Sequence, residues 1–179
     1  MNEITLDRVD RRILNLLQLN NQLSARELAD AVAVSAPTVL RRVRVLREAG
    51  VIESDVAMIN PLALGYGLLA FVEVSLTSQS DDMLQAFEER VQGEAEVLQC
   101  YFVTGQYDYF LIVHVADMAA YYQFVRRVLS ASGAVKHFES RFPMRRIKFN
   151  TALNLDEQGE ALSLKLPATK PKPKPKLNR

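Results

Sequence analysis

The sequence predicts an α+β protein in two parts, an N-terminal helix-turn-helix (winged-helix-like) head and a C-terminal ferredoxin-like βαββαβ body. Three observations carry that expectation. Apolar residues recur at three-and-four spacing in three successive runs before Gly50, each run preceded by a capping residue. From Leu68 onward the pattern becomes strand, helix, strand, strand, helix, strand. Between the two, Asn60-Pro61, Gly65 and Gly67 break both periodicities. The expected boundaries are residues 1–59 for the head, 60–67 for a linker, 68–152 for the body and 153–179 for a basic Lys/Pro tail that should be disordered.

In the head, Asp7 stands where it can cap the first helix, whose Leu6, Val9, Ile13, Leu16 and Leu17 share a face. Ser24-Ala25-Arg26-Glu27 reads as a capping box opening a second helix with Leu28, Ala29 and Val32 turned inward. Only Val32-Ala33-Val34 separates it from a third helix, which Ser35 caps, which tolerates Pro37 in its first turn, and which Gly50 ends as a left-handed stop. Val51 to Glu53 and Val56 to Ile59 have the pattern of a short ribbon.

The third helix carries four arginines, Arg41, Arg42, Arg44 and Arg47, with no acidic residue among them before Glu48. A helix face selected only for solubility mixes signs, so intrahelical ion pairs are a poor account of this run. Val39, Val43 and Leu46 form the buried stripe; Pro37, Thr38, Arg41 and Arg44 lie roughly opposite it, with Arg42 and Arg47 on the flanks. Double-stranded DNA is the partner such a helix implies. Ser35, Pro37, Thr38, Arg41, Arg42, Arg44 and Arg47 form the expected contact set, with Thr38, Arg41 and Arg42 assigned to bases and Arg44 and Arg47 mainly to phosphates.

In the body, Val72, Val74 and Leu76 alternate with Glu73 and Ser75, and Leu84, Phe87 and Val91 mark a helix ending near Gly93. Val97 to Thr104 and Tyr109 to Val115 are two apolar strands joined through Gly105-Gln106-Tyr107-Asp108. Asp117 caps a second helix with Met118, Tyr121, Val125 and Val128 on one face, and Val135 to Phe142 starts the last strand, where Pro143 implies an edge or a bulge. Both helices should cover one sheet face. Phe71, Tyr101, Phe110 and Phe142 are too apolar to leave the other face wet, which implies cover by a second copy of the chain.

Composition narrows the class. At 179 residues and 49% hydrophobic the chain can bury one large core or two small ones. Its longest apolar runs are too short to span a bilayer and its start has no signal-peptide pattern, so a cytoplasmic protein is expected. The single cysteine, Cys100, excludes an intramolecular disulfide and multi-cysteine metal sites, and its apolar surroundings suggest a core thiol. Neither histidine, His114 or His137, sits in a nucleophile, metal or phosphate motif, so no enzyme, metal or cofactor is expected. The net charge of +1 hides a neutral head, an acidic body and a tail, residues 165–179, with six basic residues and no acidic one.

Four stretches in matching order across residues 4–150 carry a family resemblance: Leu6-Asp7-Arg8-Val9-Asp10-Arg11-Arg12-Ile13-Leu14, Ser35-Ala36-Pro37-Thr38-Val39-Leu40-Arg41-Arg42-Val43, Asn60-Pro61, and Gly105-Gln106-Tyr107-Asp108-Tyr109. Together they resemble the leucine-responsive/asparagine-responsive (Lrp/AsnC, feast/famine) transcription regulators. The resemblance implies a sequence-specific DNA-binding regulator responsive to a small amino-acid effector, controlling amino-acid metabolism or transport genes, and built from homodimers that assemble to tetramers or octamers. It also implies an effector site between subunits, lined here by Thr104, Gly105, Gln106, Tyr107 and Asp108 with Ser140, Arg141 and Phe142.

Physical chemistry supports part of that set and leaves part open. A turn containing Gly105 offers backbone N–H groups to an effector carboxylate. Asp108 suits either an effector ammonium or a turn carboxylate bonded to backbone; Arg141 suits either a carboxylate clamp or a pair with Glu139 or Asp108. One departure concerns Ala33, which stands where the family often has glycine; a left-handed alanine costs about 1 kcal/mol, so a differently bent turn is expected. Two other functions fit the pattern less fully: an effector-independent nucleoid-architectural protein, and a sirohaem decarboxylase-like enzyme, which would have no need of the arginines. For the alternating Lys170 to Lys176 tail, loose phosphate contact and simple solubilisation both remain open.

Overall fold

The computed structural model describes residues 2–131, 133–159 and 161–166. The chain forms two compact units, one of residues 2–57 with the described residues from 149 on, the other of Met58–Lys148.

The first unit holds β1 (Asn2–Leu6), α1 (Arg8–Leu19), α2 (Ala25–Val32), α3 (Ala36–Glu48) and, from the far end of the chain, β6 (Leu162–Leu166). Its helix ends are closed as the capping residues require. Asp7 and Asp10 form a capping box at α1, Ser24 and Glu27 another at α2, and the Ser35 hydroxyl accepts from the N–H of Thr38 at α3. At the far end of α3 the N–H of Gly50, at φ 78°, donates to the Arg47 carbonyl and that of Val51 to the Leu46 carbonyl, a Schellman closure. The apolar stripes meet in one core of Ile13, Leu28, Ala29, Val39 and Val43, which joins all three helices.

Ala33 adopts φ 56°, ψ 44°, the single non-glycine residue with positive φ among the described residues. The turn between α2 and α3 therefore keeps its left-handed bend, and the alanine carries the strain of about 1–2 kcal/mol instead of the chain bending differently. Packing of Val39 and Val43 on Leu28 and Ala29 fixes the two helices and leaves the turn no other path.

No strand forms over 51–59 among the described residues, so the expected ribbon there is absent. A two-stranded antiparallel pairing is made by β1 and β6 instead, with Leu6 opposite Leu162 and Asn2 opposite Leu166. Residues 153–159 and 161–166, expected to belong to a disordered tail, are thus part of the fold; residues 167–179, with the Lys/Pro stretch, lie outside the described residues. The physical reason is apolar burial: Leu155 and Leu164 pack with Ile4 against a second cluster of Leu6, Leu14 and Leu46.

The segment leading into β6 is also held by polar side chains of α1. Arg11, only 6% exposed, donates to the carbonyls of Asp156 and Gly159, both at 2.7 Å. A Cβ on Gly159 would come within 3.1 Å of the Arg11 guanidinium, so glycine lets the two approach. Asn15 and Gln18 each make a reciprocal amide pair with the chain: Asn15 with the Leu155 carbonyl (2.9 Å) and N–H (3.2 Å), Gln18 with the Leu153 carbonyl (3.0 Å) and N–H (2.7 Å). These side chains imitate the backbone of a neighbouring strand.

The second unit runs through a 3-10 turn (Leu62–Leu64), β2 (Leu68–Leu76), α4 (Asp81–Gln92), β3 (Val97–Phe102), β4 (Tyr109–Val115), α5 (Met118–Phe124) with a π-helical continuation (Val125–Ser130), and β5 (Val135–Arg141). The sheet order is β3-β4-β2-β5, all antiparallel, which is the ferredoxin-like arrangement. The expected linker, 60–67, belongs to this unit: the Gly67 N–H donates to the Ala116 carbonyl. Period-two alternation fixes the faces. Ala70, Val72, Val74 and Leu76 pack with Leu111, Val113 and Val115 against Phe87, Val91, Phe124, Val128 and Leu129 of the helices.

The opposite face carries Phe71 stacked on Phe110 at 6.0 Å, with Ile112 beside them, and no helix or strand among the described residues of the unit covers it. β3 and β5 are the edges. Pro143 falls just beyond the end of β5, where its missing donor costs the sheet nothing. Cys100 is exposed on β3 and is not a core thiol, because the apolar stretch it belongs to is an edge strand.

Candidate functional site

On α3 the four arginines have four different fates. Arg41 is exposed and makes no hydrogen bond or ion pair among the described residues. Arg44 pairs with Glu48 at 2.7 Å, one turn on, with both side chains mostly in solvent. Arg47 reaches Asp55 at 3.1 Å. These solvated pairs balance charge without fixing the arginines, and either guanidinium can trade its carboxylate for a phosphate.

Arg42 is different. Its guanidinium Nη1 lies 2.8 Å from Asp7 Oδ2 and 2.8 Å from Asp10 Oδ1, with side-chain exposures of 24% for Arg42, 46% for Asp7 and 11% for Asp10. The same two aspartates form the capping box of α1, so one arginine ties the middle of α3 to the start of α1. Burial raises the Asp7 carboxyl, but the Asp10 N–H and the Arg42 guanidinium outweigh it and hold it below its ordinary value. The hydrogen bond to Asp10 likewise holds Arg42 firmly protonated. Arg42, expected among the base-reading side chains, is therefore committed inside the protein: its flank position turns it toward α1, not outward.

The outward stripe consists of Pro37, Arg41, Arg44 and Glu48, flanked by Thr38 and by Leu40, which is 60% exposed. Thr38 Oγ1 lies 2.8 Å from Ser35 Oγ, so the two hydroxyls share one hydrogen bond at the start of the helix. Leu40 was not among the expected contacts. Its signal was legible, because it lies off the buried stripe and an exposed leucine on a polar helix face has no packing role.

The eight residues expected around an effector fall on two sides of the sheet. Thr104, Gly105 and Gln106 are exposed in the β3–β4 turn, and Gly105 at φ 123° requires the absence of a side chain. Tyr107 crosses to β5, where its hydroxyl donates to Glu139 at 2.7 Å. On the same uncovered face Arg141 pairs with Glu73 and, at 3.0 Å, with Glu139. Ser140 and Phe142 point the other way: the Ser140 hydroxyl lies 2.5 Å from that of Tyr121, and the Phe142 ring meets the Tyr121 ring edge-on at 5.1 Å.

Asp108 is a structural residue of this turn. It is 8% exposed, and its carboxylate accepts from the Leu76 N–H at 2.7 Å and from the Gln79 amide at 2.5 Å. With its own N–H donating to Val74 O, it fastens the turn to the end of β2. An effector ammonium would have to displace these bonds.

A groove of about 370 Å³ lies elsewhere, between β3 and α4, lined by Val91, Val97, Leu98, Phe102 and Tyr109 among others. None of the eight expected residues lines it. Cys100, exposed at its outer side, lines the groove with the rest of its surface, and that partial desolvation together with the Glu88 carboxylate pushes its thiol up to about 11, which keeps it protonated at neutral pH.

Comparisons with known proteins give the family of both units. Residues 6–53 match the family model for a winged helix-turn-helix DNA-binding domain, and residues 69–153 match that for an Lrp/AsnC ligand binding domain. The leucine-responsive regulatory protein of Rhizobium meliloti is 39% identical over 145 residues, covering 81% of this chain and 93% of that protein. The Bkd operon transcriptional regulator of Pseudomonas aeruginosa is 37% identical over 147 residues, covering 82% and 96%. Among solved structures, a transcriptional regulator of Neisseria meningitidis in complex with L-Met superimposes with a TM-score of 0.79 at 36% identity, covering 83% of this chain and 96% of that one. The matched N-terminal model is a DNA-binding one and both relatives are regulators, which sets the enzymatic reading aside. No helix among the described residues is long and apolar enough to cross a membrane. The chain belongs to the Lrp/AsnC family of DNA-binding transcription regulators.

Proposed function

We propose that the protein is an amino-acid-responsive regulator of amino-acid metabolism or transport genes, acting in the cytoplasm as a homodimer that assembles further to tetramers or octamers. The observation that carries the DNA half is the outward stripe of α3, where Arg41 is exposed without an ion pair among the described residues. In this reading Thr38 and Arg41 meet base edges, Leu40 packs on a thymine methyl, and Arg44 and Arg47 take phosphates, with Ser35 and Pro37 beside the backbone. Arg42 acts as a positioning residue. The uncovered sheet face with Phe71, Phe110 and Ile112 supports a second copy as its cover, and a two-fold dimer then presents its α3 helices to successive major grooves about 34 Å apart.

The amino-acid half rests on the ligand-binding family of residues 69–153 and on the L-Met bound by the Neisseria relative. Thr104, Gly105 and Gln106 supply a polar turn whose backbone suits a carboxylate, and Tyr107, Ser140, Arg141 and Phe142 lie on the neighbouring strand and turn. Arg141 is exposed enough to exchange Glu73 and Glu139 for an effector carboxylate, while Asp108 shapes the turn.

Two measurements test the reading. Arg41→Ala should weaken binding to a selected duplex about 5- to 150-fold, the range of a lost base contact, and leave assembly unchanged; unaltered affinity would remove α3 from the DNA contact. Thermal unfolding in the presence of each of the twenty amino acids should give a raised melting temperature for one or a few. If DNA alone stabilises the protein, an effector-independent architectural role replaces the sensing one.

A further inference from the structure

The polypeptide passes between its two units twice, once near residues 57 and 58 and again near 148 and 149. The second passage leads to the clasp on α1 and β1, which has no role in the function proposed above; residues 154–166 lie beyond both matched family models.

The two passages are anchored at different places on the DNA-binding unit. The first leaves the end of α3, where Gly50 and Val51 close the helix and Arg47 holds Asp55 at 3.1 Å. The second unit takes it up at Pro61, whose carbonyl accepts from the N–H groups of Leu64 and Tyr66. The return passage leaves the end of β5, where the Phe142 ring meets Tyr121. It is caught on α1: Gln18 pairs with the backbone of Leu153, Asn15 with that of Leu155, and buried Arg11 with the carbonyls of Asp156 and Gly159. Arg11, Asn15 and Gln18 stand on one stripe, so the returning chain runs antiparallel to α1 before β6 adds to β1. Leu155 and Leu164 pack it against Leu14 and Leu46.

Neither free span forms a helix or strand, from Asp55 to Pro61 in the first passage or from Phe142 to Leu153 in the second. At about 3.3–3.6 Å per residue they reach at most about 20 Å and about 40 Å. A unit held by one flexible connection turns about its point of attachment, the ordinary behaviour of domains joined by a linker. A second connection of limited length, fixed to a different helix, restricts that turning.

We infer that the chain from Phe142 through β6 is a return strap, and that Arg11, Asn15 and Gln18, its anchors on α1, are positioning residues that set the half-site spacing the protein accepts. The inference rests on the two-fold, DNA-reading dimer proposed above. With one connection each α3 would find its half-site over a range of separations; the strap narrows both the separation and the helical phase.

The test uses the full chain and a variant with about eight Gly and Ser residues inserted between the exposed Met144 and Arg145, which adds about 15 Å of slack and leaves the anchors on α1 intact. Affinity is measured for a selected duplex with two half-sites, for the same duplex lengthened between them by five base pairs, about half a helical turn, and for one half-site alone. The lengthened duplex should cost the unaltered protein about 100-fold, the low end of the gain from joining two contacts, and the slackened variant about tenfold or less. On the single half-site the two should bind alike, because α3 is untouched. Asn15→Ala combined with Gln18→Ala frees the near end of the strap without an insertion and should lower the cost in the same direction. Equal costs for the unaltered protein and both variants would overturn the strap while leaving α3 as the reader. An unaltered protein without preference for the selected duplex over an unrelated one would overturn the DNA reading itself, and the strap with it.

Discussion

Replacing Arg42 by Met distinguishes a side chain that reads DNA from one that holds the reader in place. Met keeps most of the buried stem and removes the guanidinium, so two charge-assisted hydrogen bonds at 2.8 Å disappear. Asp10, at 11% exposure, then keeps a nearly buried carboxylate oxygen without its partner, a loss worth about 1–3 kcal/mol. Asp7 is about half in solvent and adds little after screening. A net loss of about 2 kcal/mol follows, which lowers the melting temperature of a domain this size by about 8–16 °C.

The acid response supplies a second signature of the same contact. The Asp7 carboxyl is held below its ordinary value of 3.8 in the folded state. A depressed carboxyl stabilises the fold above its unfolded value and loses that effect as the pH falls through the folded one. The stability gap between the parent protein and Arg42→Met should therefore narrow below about pH 4. Urea unfolding across pH, with DNA titration at several salt concentrations, reads both properties. Lower stability with an unchanged salt slope is expected. Full stability with weaker DNA binding and a slope smaller by about 0.9 would refute the positioning role and return Arg42 to the DNA surface.

Two further substitutions probe the turns. Ala33→Gly should relieve about 1–2 kcal/mol of left-handed strain and give back about 0.4–1 kcal/mol in unfolded-chain entropy, so urea unfolding should register a modest stabilisation and a destabilised variant would mean that the alanine methyl packs usefully. Asp108→Ala orphans the Leu76 N–H and the Gln79 amide; a loss of about 2–3 kcal/mol by calorimetry is expected, whereas intact stability with lost amino-acid binding would make Asp108 an effector ligand.

Local signals made most of the fold legible. Asp7, Ser24 and Ser35 cap the helices they precede, and the strand-helix order of the second unit follows from period-two alternation against three-and-four spacing. The pairing of β1 with β6 was not legible, because its two strands are more than 150 residues apart and neither alternates strongly enough to name a partner. A weak trace existed in α1, where Arg11, Asn15 and Gln18 recur along one stripe; polar residues at helical spacing read as a solvated face unless something is known to lie on it. The recognition helix was visible as an arginine run, but the run concealed a division of labour. Which of four neighbouring arginines stays free depends on where Asp7, Asp10, Glu48 and Asp55 come to rest in space. The candidate effector residues were placed near one turn by analogy, and strand alternation then separated Ser140 from Arg141, adjacent in sequence and on opposite faces.

The clasp between β1 and β6 bears on how the protein is made. Synthesis delivers the three helices first and the strand that completes their sheet last, after the whole sensing unit has emerged. Until then Leu6, Leu14 and Leu46 lack the cover of Leu155 and Leu164, and Arg11 lacks the carbonyls of Asp156 and Gly159. The nascent head meanwhile keeps apolar surface that the segment around Leu155 and Leu164 later covers. A chain cut short after the sensing unit would keep the reading helix but lose this closure. Full burial of the second apolar cluster of the DNA-binding unit therefore waits on residues made after the sensing unit.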